Sequence, residues 1–271
     1  MRIGIAGYGF VGTALHRLFR KNPAHSISVY DRYRTGYDGD DALKRLNSCD
    51  LVFVAVPTPY DELRGRCDVS AVRDVADRLF VPMCIKSTVP PGTIDALLAE
   101  TGKAIAYSPE YIGERAGHPW SEADSAGFVI CAGDPGACRL VREAYGHDAR
   151  ISPRYVETTA AAAELAKYME NAFLATKVAF ANQFYDLARA AGVDYEDVRR
   201  LFLLDERVGA SHTEVHPERG FGGRCLPKDM KSIVAWARPR TDATLLEDVL
   251  DYNDRVRERA RDADESCAAA S

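Results

Sequence analysis

The stretch that decides the fold lies at the start of the chain and reads RIGIAGYGFVG over residues 2–12. Residues 2–6 are a short apolar run that predicts a strand, and apolar residues after it recur at helical spacing. Gly7 suits a tight turn, Gly9 admits a pyrophosphate, and Gly12 allows the helix to pack on the strand. Together with Phe10 and Val11 at the helix start, they predict a dinucleotide-binding turn.

A second apolar run, residues 27–30, ends at Asp31. Its distance from the glycine turn suits a carboxylate that binds the hydroxyls of the adenosine ribose. This favours NAD over NADP as the cofactor, although Arg32 and Arg34 could still meet a 2′-phosphate. The amino-terminal part is therefore predicted to be an NAD-binding Rossmann domain.

Further apolar runs at 50–56, 83–88, 104–107 and 128–131 predict strands of an α/β, doubly wound parallel sheet that is complete by about residue 133. Loops after the carboxyl ends of parallel strands form the ligand crevice. Thr58, Lys86 and Thr88 follow or end such strands and are expected near the cofactor.

The second half has a different character. Residues 158–191 contain neither proline nor glycine and predict one long, buried central helix of an all-helical domain. Residues 242–261 predict another helix. The predicted domains are a Rossmann domain over 1–155, a helical central and dimerisation domain over 156–260, and a flexible tail over 261–271.

Two groups in this half carry chemistry. Lys167 and Asn171 are four residues apart on the long helix, so they share a face and could polarise a carbonyl or stabilise an oxyanion. Cys225 lies in the glycine-rich stretch GFGGRCLPKD of residues 220–229. The flanking Arg224 and Lys228 favour the thiolate, which is the form that attacks a carbonyl.

Composition narrows the class of protein. A formal net charge of -5 offers no basic footprint for nucleic acid. No apolar run is long enough to cross a membrane and no leader is visible, so a cytoplasmic protein is expected. Seven cysteines fit reduced thiols. His212 and His216 precede Pro217 in a predicted loop, so no metal site is expected.

The order of motifs resembles the UDP-glucose/GDP-mannose dehydrogenase family, whose members oxidise a nucleotide-sugar alcohol to the carboxylate with NAD. The matching stretches, spread over about residues 1–235, are GYGFVG at 7–12, VPTP at 56–59, KSTVPPGT at 86–93, SPEY at 108–111, KYMENAFLATK at 167–177, DERVG at 205–209 and FGGRCLPKD at 221–229.

The resemblance implies roles for individual residues. Cys225 matches the nucleophile that captures the aldehyde, and Lys167 and Asn171 match the groups that stabilise oxyanions. Asp229 and Thr88 match residues that position water, and Glu110 matches the carboxylate that assists thioester hydrolysis. The residues expected at the substrate are Glu114, Arg207 and Gly222, with Lys167 and Asn171. Relatives also pair as dimers through the long helix, so a homodimer is expected.

The chain also departs from the family pattern. Relatives usually continue into a second Rossmann-like domain that binds the nucleotide diphosphate, and this chain is expected to be a truncated form without it. The substrate could then be a nucleotide sugar or a related smaller sugar. Two alternatives stay open: a two-electron dehydrogenase of the β-hydroxyacid type, and a non-catalytic NAD-binding subunit that needs a partner chain.

Overall fold

The computed structural model of this chain describes residues 1–112, 127–146 and 154–269. The chain divides into two compact units. The first is formed by Met1–Asp61 and Cys67–Lys167, and the second by Glu62–Arg66 and Tyr168–Ser271. The division falls inside a long helix, whereas the sequence placed the domain boundary ahead of that helix.

Up to the start of the long helix, short strands alternate with helices. The elements in chain order are β1 Arg2–Ala6, α1 Phe10–Phe19, β2 Ser26–Tyr30, α2 Gly39–Leu46, β3 Leu51–Val54, β4 Tyr60–Asp61, β5 Arg66–Cys67, α3 Ser70–Arg78, β6 Met83–Ile85, α4 Thr93–Thr101, β7 Ile105–Tyr107, β8 Phe128–Gly133, α5 Pro135–Tyr145 and β9 Arg154–Thr158.

Within the described residues, a seven-stranded sheet has the order β2-β1-β3-β6-β7-β8-β9. Neighbouring strands are parallel except β7 and β8, which are antiparallel. From β1 the chain crosses to β2 on one side, and β3 then lies on the other side of β1. This reversal of strand order is the switch point at which open parallel sheets bind ligands. The predicted doubly wound α/β fold is confirmed.

The sheet does not end near residue 133, and that prediction is wrong. The strand β9 adds to the sheet beside β8, with Phe128 opposite Arg154 and Ala132 opposite Thr158. Its sequence, RYVET, is half exposed or exposed throughout. An edge strand of this kind lacks the continuous apolar run by which the buried strands are detected.

Apolar side chains cover both faces of the sheet. Ile3 and Ile5 of β1 lie in one fully buried cluster, whereas Val52 and Val54 of β3 lie in the other. Alternate residues of a strand point to opposite faces, so each buried strand contributes to both clusters. Because both of its faces are covered, the sheet is a rigid support for the loops that follow the carboxyl ends of its strands.

The second unit is helical. The long helix α6 spans Ala160–Ala190, as predicted, and is followed by α7 Tyr195–Phe202, α8 Leu226–Ala237 and α9 Thr244–Ala269. The helix α9 extends to Ala269, whereas the sequence predicted an end at Arg261 and a flexible tail. Apolar residues of α6, α8, α9 and the loop before α8 form the core of this unit: Ala172, Ala175, Ala179, Phe221, Met230 and Val249.

The helix α6 was predicted to be buried, yet several of its apolar side chains are exposed, including Met169 at 74% and Phe173 at 62%. Among the helices of the described residues, none combines the length and apolar character needed to cross a membrane.

Candidate cofactor and catalytic sites

The glycine turn after β1 has the geometry that the sequence predicted. Gly7 has a φ of 92°, which favours glycine, and its N–H donates to the Tyr30 carbonyl oxygen at 2.9 Å. A Cβ built on Gly12 would lie 1.9 Å from the Gly7 carbonyl oxygen. Gly12 therefore permits the close contact between helix and turn. A Cβ on Gly9 would meet nothing within 4 Å, so space for a ligand remains at this glycine.

The helix α1 begins at Phe10, followed by Val11, and Gly9 precedes it without a side-chain cap. The first N–H groups of a helix bind anions, and the helix dipole adds to this preference. The turn, the space at Gly9 and the start of α1 therefore fit the pyrophosphate of a dinucleotide.

Asp31 lies directly after β2, and its carboxylate is fixed by two backbone groups. Tyr8 N–H donates to Oδ2 at 2.7 Å, and Tyr33 N–H donates to Oδ1 at 2.9 Å. Each carboxylate oxygen can accept more than one hydrogen bond, so both remain available to ribose hydroxyls. The carboxylate is thus attached to the glycine turn through Tyr8.

The two arginines that could meet a 2′-phosphate already contact protein groups. Arg32 forms an ion pair with Asp74 of α3, and the Arg34 guanidinium lies 4.9 Å from the centre of the Tyr8 ring. Both contacts compete with a phosphate, which agrees with the preference for NAD that Asp31 indicates.

Thr58 and Thr88 are brought together at the ends of β3 and β6. The Thr58 hydroxyl is buried and donates to the Thr88 carbonyl oxygen at 2.7 Å. Both threonines thus lie at the strand ends where the sequence placed the cofactor.

Lys86 lies in a buried polar network. Its ammonium is 3.3 Å from Glu110 Oε2 and donates to Ser108 Oγ and to the Tyr145 hydroxyl, each at 3.3 Å. Burial alone lowers the pKa of Lys86, but the Glu110 carboxylate and Tyr145 outweigh it, so the pKa is raised. Burial also raises the pKa of the Tyr145 hydroxyl. The predicted cofactor residue Lys86 and the predicted catalytic residue Glu110 therefore form one ion pair.

Glu164 is a buried carboxylate of α6 that the sequence did not single out. Its Oε2 accepts from Gly92 N–H at 2.7 Å and its Oε1 from Ile94 N–H at 2.8 Å. Burial raises the pKa of Glu164 to about 7, against the opposing effect of these hydrogen bonds. Glu164 thereby fixes the start of α4, which follows the loop that contains Thr88.

Lys167 is buried, and its ammonium lies 4.4 Å from the centre of the Tyr111 ring. A cation over an aromatic face keeps a favourable electrostatic partner when it is removed from water. Glu114, expected at the substrate, lies outside the described residues.

In the second unit, Cys225 is partly exposed and directly precedes α8, with Pro227 in the first turn. Asp229 N–H donates to the Cys225 carbonyl oxygen at 3.0 Å, which closes that turn. The N–H groups at the start of a helix favour negative charge placed beside them. The sequence predicted Cys225 on a turn, and the structure places it at the start of a helix.

Asn171 and Asp229 meet in the interior of this unit. Asn171 Nδ2 donates to Asp229 Oδ2 at 2.5 Å, and both side chains are buried. Asp229 Oδ1 forms an ion pair with Lys228. Lys228 was expected to favour the thiolate of Cys225, and here its charge also compensates the buried carboxylate.

Gly222 and Arg207, also predicted to bind substrate, lie beside other charged side chains. A Cβ on Gly222 would lie 2.8 Å from Arg257 Nη1. Arg207 is 89% exposed at its side chain and forms an ion pair with Asp205 at 2.5 Å. The pKa of Asp205 is lowered by its hydrogen bonds to Arg207.

The fold and the first unit define a nicotinamide-dinucleotide-binding protein of the Rossmann class, followed by a helical unit with a thiol at a helix start. The chain belongs to the UDP-glucose/GDP-mannose dehydrogenase family. Residues 32–147 match the NAD binding domain of that family, and residues 161–255 match its central domain. The expected cofactor, NAD, agrees with this domain match.

Among curated proteins, the chain is 34% identical over 236 residues to a UDP-glucose 6-dehydrogenase of Rhizobium meliloti (strain 1021), a match that covers 82% of this chain and 53% of the relative. A UDP-glucose 6-dehydrogenase of Pseudomonas aeruginosa is 34% identical over 232 residues, covering 79% of this chain and 50% of the relative. The chain thus spans about half the length of the curated relatives it matches.

Among solved structures, a UDP-glucose dehydrogenase from the hyperthermophilic archaeon Pyrobaculum islandicum superposes with a TM-score of 0.78 at 25% identity. The superposition covers 94% of this chain and 68% of that protein. The predicted fold and family are both confirmed.

Proposed function

We propose that this chain oxidises the primary alcohol of a sugar to the carboxylate in two NAD-dependent steps. The substrate is a nucleotide sugar or a related smaller sugar. The observation that carries the proposal is the buried hydrogen bond from Asn171 of α6 to Asp229 of α8. Because α8 begins directly after Cys225, this bond lies in the first turn of the helix that follows the thiol. Oxidation of an alcohol to an aldehyde needs no thiol, whereas oxidation to an acid is aided by a nucleophile that captures the aldehyde carbon.

Bound NAD+ supplies the hydride acceptor in both oxidations. After the first, the Cys225 thiolate attacks the aldehyde carbon, the carbon–oxygen double bond becomes single, and its oxygen takes up a proton to give a thiohemiacetal. Loss of a second hydride and a proton gives a thioester. Water then adds to the thioester carbon, the carbon–sulfur bond breaks, and the thiolate and the carboxylate are released. Alcohol, water and two NAD+ become carboxylate, two NADH and three protons.

The chain's own residues take the following roles. Asn171 uses one amide N–H on Asp229 and has a second N–H for the developing oxyanion, which Lys167 also stabilises. Asp229 and Thr88 position the attacking water. Glu110, paired with Lys86, assists hydrolysis of the thioester.

We also propose that a second copy of the chain covers the exposed apolar face of α6. Met169, Phe173, Phe180 and Phe184 are 74%, 62%, 52% and 40% exposed. Their spacing of four, seven and four residues places them along one side of the helix. Contiguous apolar surface of this kind marks an interaction site, and a long helix pairs readily with its own copy around a two-fold axis.

The proposed compartment is the cytoplasm, because the mechanism requires a reduced thiol. The cysteines whose side chains are described, namely Cys49, Cys67, Cys84, Cys131, Cys138 and Cys225, are all free.

The test is to count NADH formed per product with UDP-sugars, GDP-sugars and sugar phosphates. Two NADH per carboxylate supports the proposal. One NADH per carbonyl product would instead indicate a two-electron dehydrogenase, and NAD binding without turnover would indicate a subunit that needs a partner.

A variant pair sharpens this test. Cys225→Ser should lower acid formation by about a thousandfold or more and leave NAD affinity unchanged. Cys138→Ser makes the same change at a thiol of the first unit and should retain activity. Acid formation at the normal rate by Cys225→Ser excludes the thioester route.

A further inference from the structure

The loop before Cys225 has an unusual backbone conformation. Arg219 has a φ of 55°, Gly220 of 58° and Gly223 of 76°. The left-handed region is unfavourable for a residue such as arginine, and it persists where surrounding contacts hold the backbone in place. Contacts from other residues of the second unit must therefore hold the backbone of this loop.

Two buried asparagines hold consecutive N–H groups of the loop. Asn182 of α6 accepts from Gly220 N–H at 3.1 Å and from Arg219 Nε at 2.8 Å. Asn253 of α9 accepts from Phe221 N–H at 2.6 Å and donates from Nδ2 to the Phe221 carbonyl oxygen at 3.1 Å. The two side chains are 1% and 3% exposed, so these bonds are protected from water.

Arg257 of α9 adds a third contact, since its Nη1 donates to the Arg219 carbonyl oxygen at 3.2 Å. We refer to Asn182, Asn253 and Arg257 as the loop frame. The Phe221 side chain is buried in the same core as Met230 of α8 and Val249 of α9, so side chain and backbone of the loop are fixed together.

The glycines of the loop leave room for the frame. A Cβ on Gly220 would lie 2.5 Å from Asn253 Oδ1, and a Cβ on Gly222 would lie 2.8 Å from Arg257 Nη1. Real Cβ atoms do not approach other atoms so closely. A larger residue at Gly220, which has a φ of 58°, would displace the buried Asn253, whereas at Gly222 the end of the Arg257 side chain would have to move.

From this geometry we infer that the loop frame consists of positioning residues for Cys225, which the frame holds at the start of α8. The loop itself contains few other groups that could fix its backbone, because three of its residues are glycine. The catalytic assignment of Cys225 rests on the proposed function, but its placement by the frame does not.

The test uses the full chain and the variants Asn253→Asp and Asn182→Leu. Aspartate keeps the acceptor oxygen and replaces the amide N–H that Asn253 donates to Phe221 by a second acceptor. Asp254→Asn, at an exposed neighbour on α9, is the matched control. The rate of Cys225 alkylation by iodoacetamide is measured by peptide mass spectrometry, and the melting temperature and NAD affinity are measured in parallel.

We expect Asn253→Asp to slow alkylation of Cys225 about fivefold, because the thiol leaves the helix start that favours its thiolate. Asn182→Leu, which removes the oxygen that accepts from Gly220 and Arg219, should act in the same direction, and Asp254→Asn should match the parent. NAD affinity should not change, since the predicted NAD residues lie in the first unit.

Folded variants that are alkylated at the parental rate, or faster, overturn the inference, even where their melting temperature falls. A merely structural asparagine gives that pattern. A protein that oxidises none of the sugars and still shows slowed alkylation in Asn253→Asp contradicts the proposed function alone.

Discussion

Replacement of Glu164 by glutamine should change how stability depends on pH. The Glu164 carboxyl is fully buried, and its pKa is raised from 4.5 to about 7, first because of burial. Between pH 4.5 and about 7, the Glu164 carboxyl is therefore protonated in the folded protein and ionised in the unfolded chain. Stability from this group is fully present below pH 4.5 and is lost as the pH rises towards about 7 and beyond.

The size of the effect follows from the same values. A carboxyl that titrates near 7 instead of 4.5 lowers the free energy of unfolding by up to about 3 kcal/mol once it is ionised. Glutamine does not titrate in this range. The difference in unfolding free energy between parent and Glu164→Gln should thus shift by about 2 to 3 kcal/mol between roughly pH 5 and pH 8.

The assay is urea denaturation followed by far-ultraviolet circular dichroism across this pH range. Asp77→Asn changes an exposed carboxylate of the same unit and should run parallel to the parent. If the difference between parent and Glu164→Gln stays constant with pH, the argument from burial fails.

Two further predictions concern binding. Asp31→Ala should weaken NAD binding about tenfold or more and NADP binding far less, as measured by calorimetry, because the carboxylate is fixed for ribose hydroxyls; an equal loss for both cofactors would contradict this. Met169→Glu combined with Phe173→Glu should convert a dimer to a monomer in analytical ultracentrifugation, because both exposed apolar side chains lie on the proposed contact face. Leu63→Glu, at a fully exposed residue outside α6, is its control, and a dimer that persists in the double variant refutes the helix face.

Much of the fold could be predicted because its signals are local. Consecutive residues predict each of three elements: an apolar run predicts the first strand, glycine spacing predicts the turn, and helical periodicity predicts α6. The strand β9 gives no such signal, since it is held at the sheet edge by pairing with β8 and buries little. The division of the chain at Lys167 is equally hidden, because the helix continues through it without a break in periodicity.

The residues of the candidate site could be predicted from the sequence, but their contacts could not. Cys225, Lys167 and Asn171 could be selected by residue type, but the contact of Asn171 with Asp229 joins residues 58 positions apart and depends on packing of α6 against α8. Likewise, Asn182 and Asn253 look like ordinary polar residues of amphipathic helices. A weak signal existed in each case, since the asparagine falls where helical spacing calls for a buried residue.

The two glycine-rich motifs illustrate why sequence reasoning stops where it does. Both the turn at Gly9 and the loop at Gly222 read as places where a backbone must come close to something. Around Gly9 that space is open, which fits the predicted dinucleotide, whereas the Arg257 side chain of α9 lies beside Gly222. A glycine reports the need for close approach and not the identity of what approaches. The position of α9, set by packing of Phe221, Met230 and Val249, distinguishes the two places, and Gly222 stays a predicted substrate residue that also lies beside Arg257.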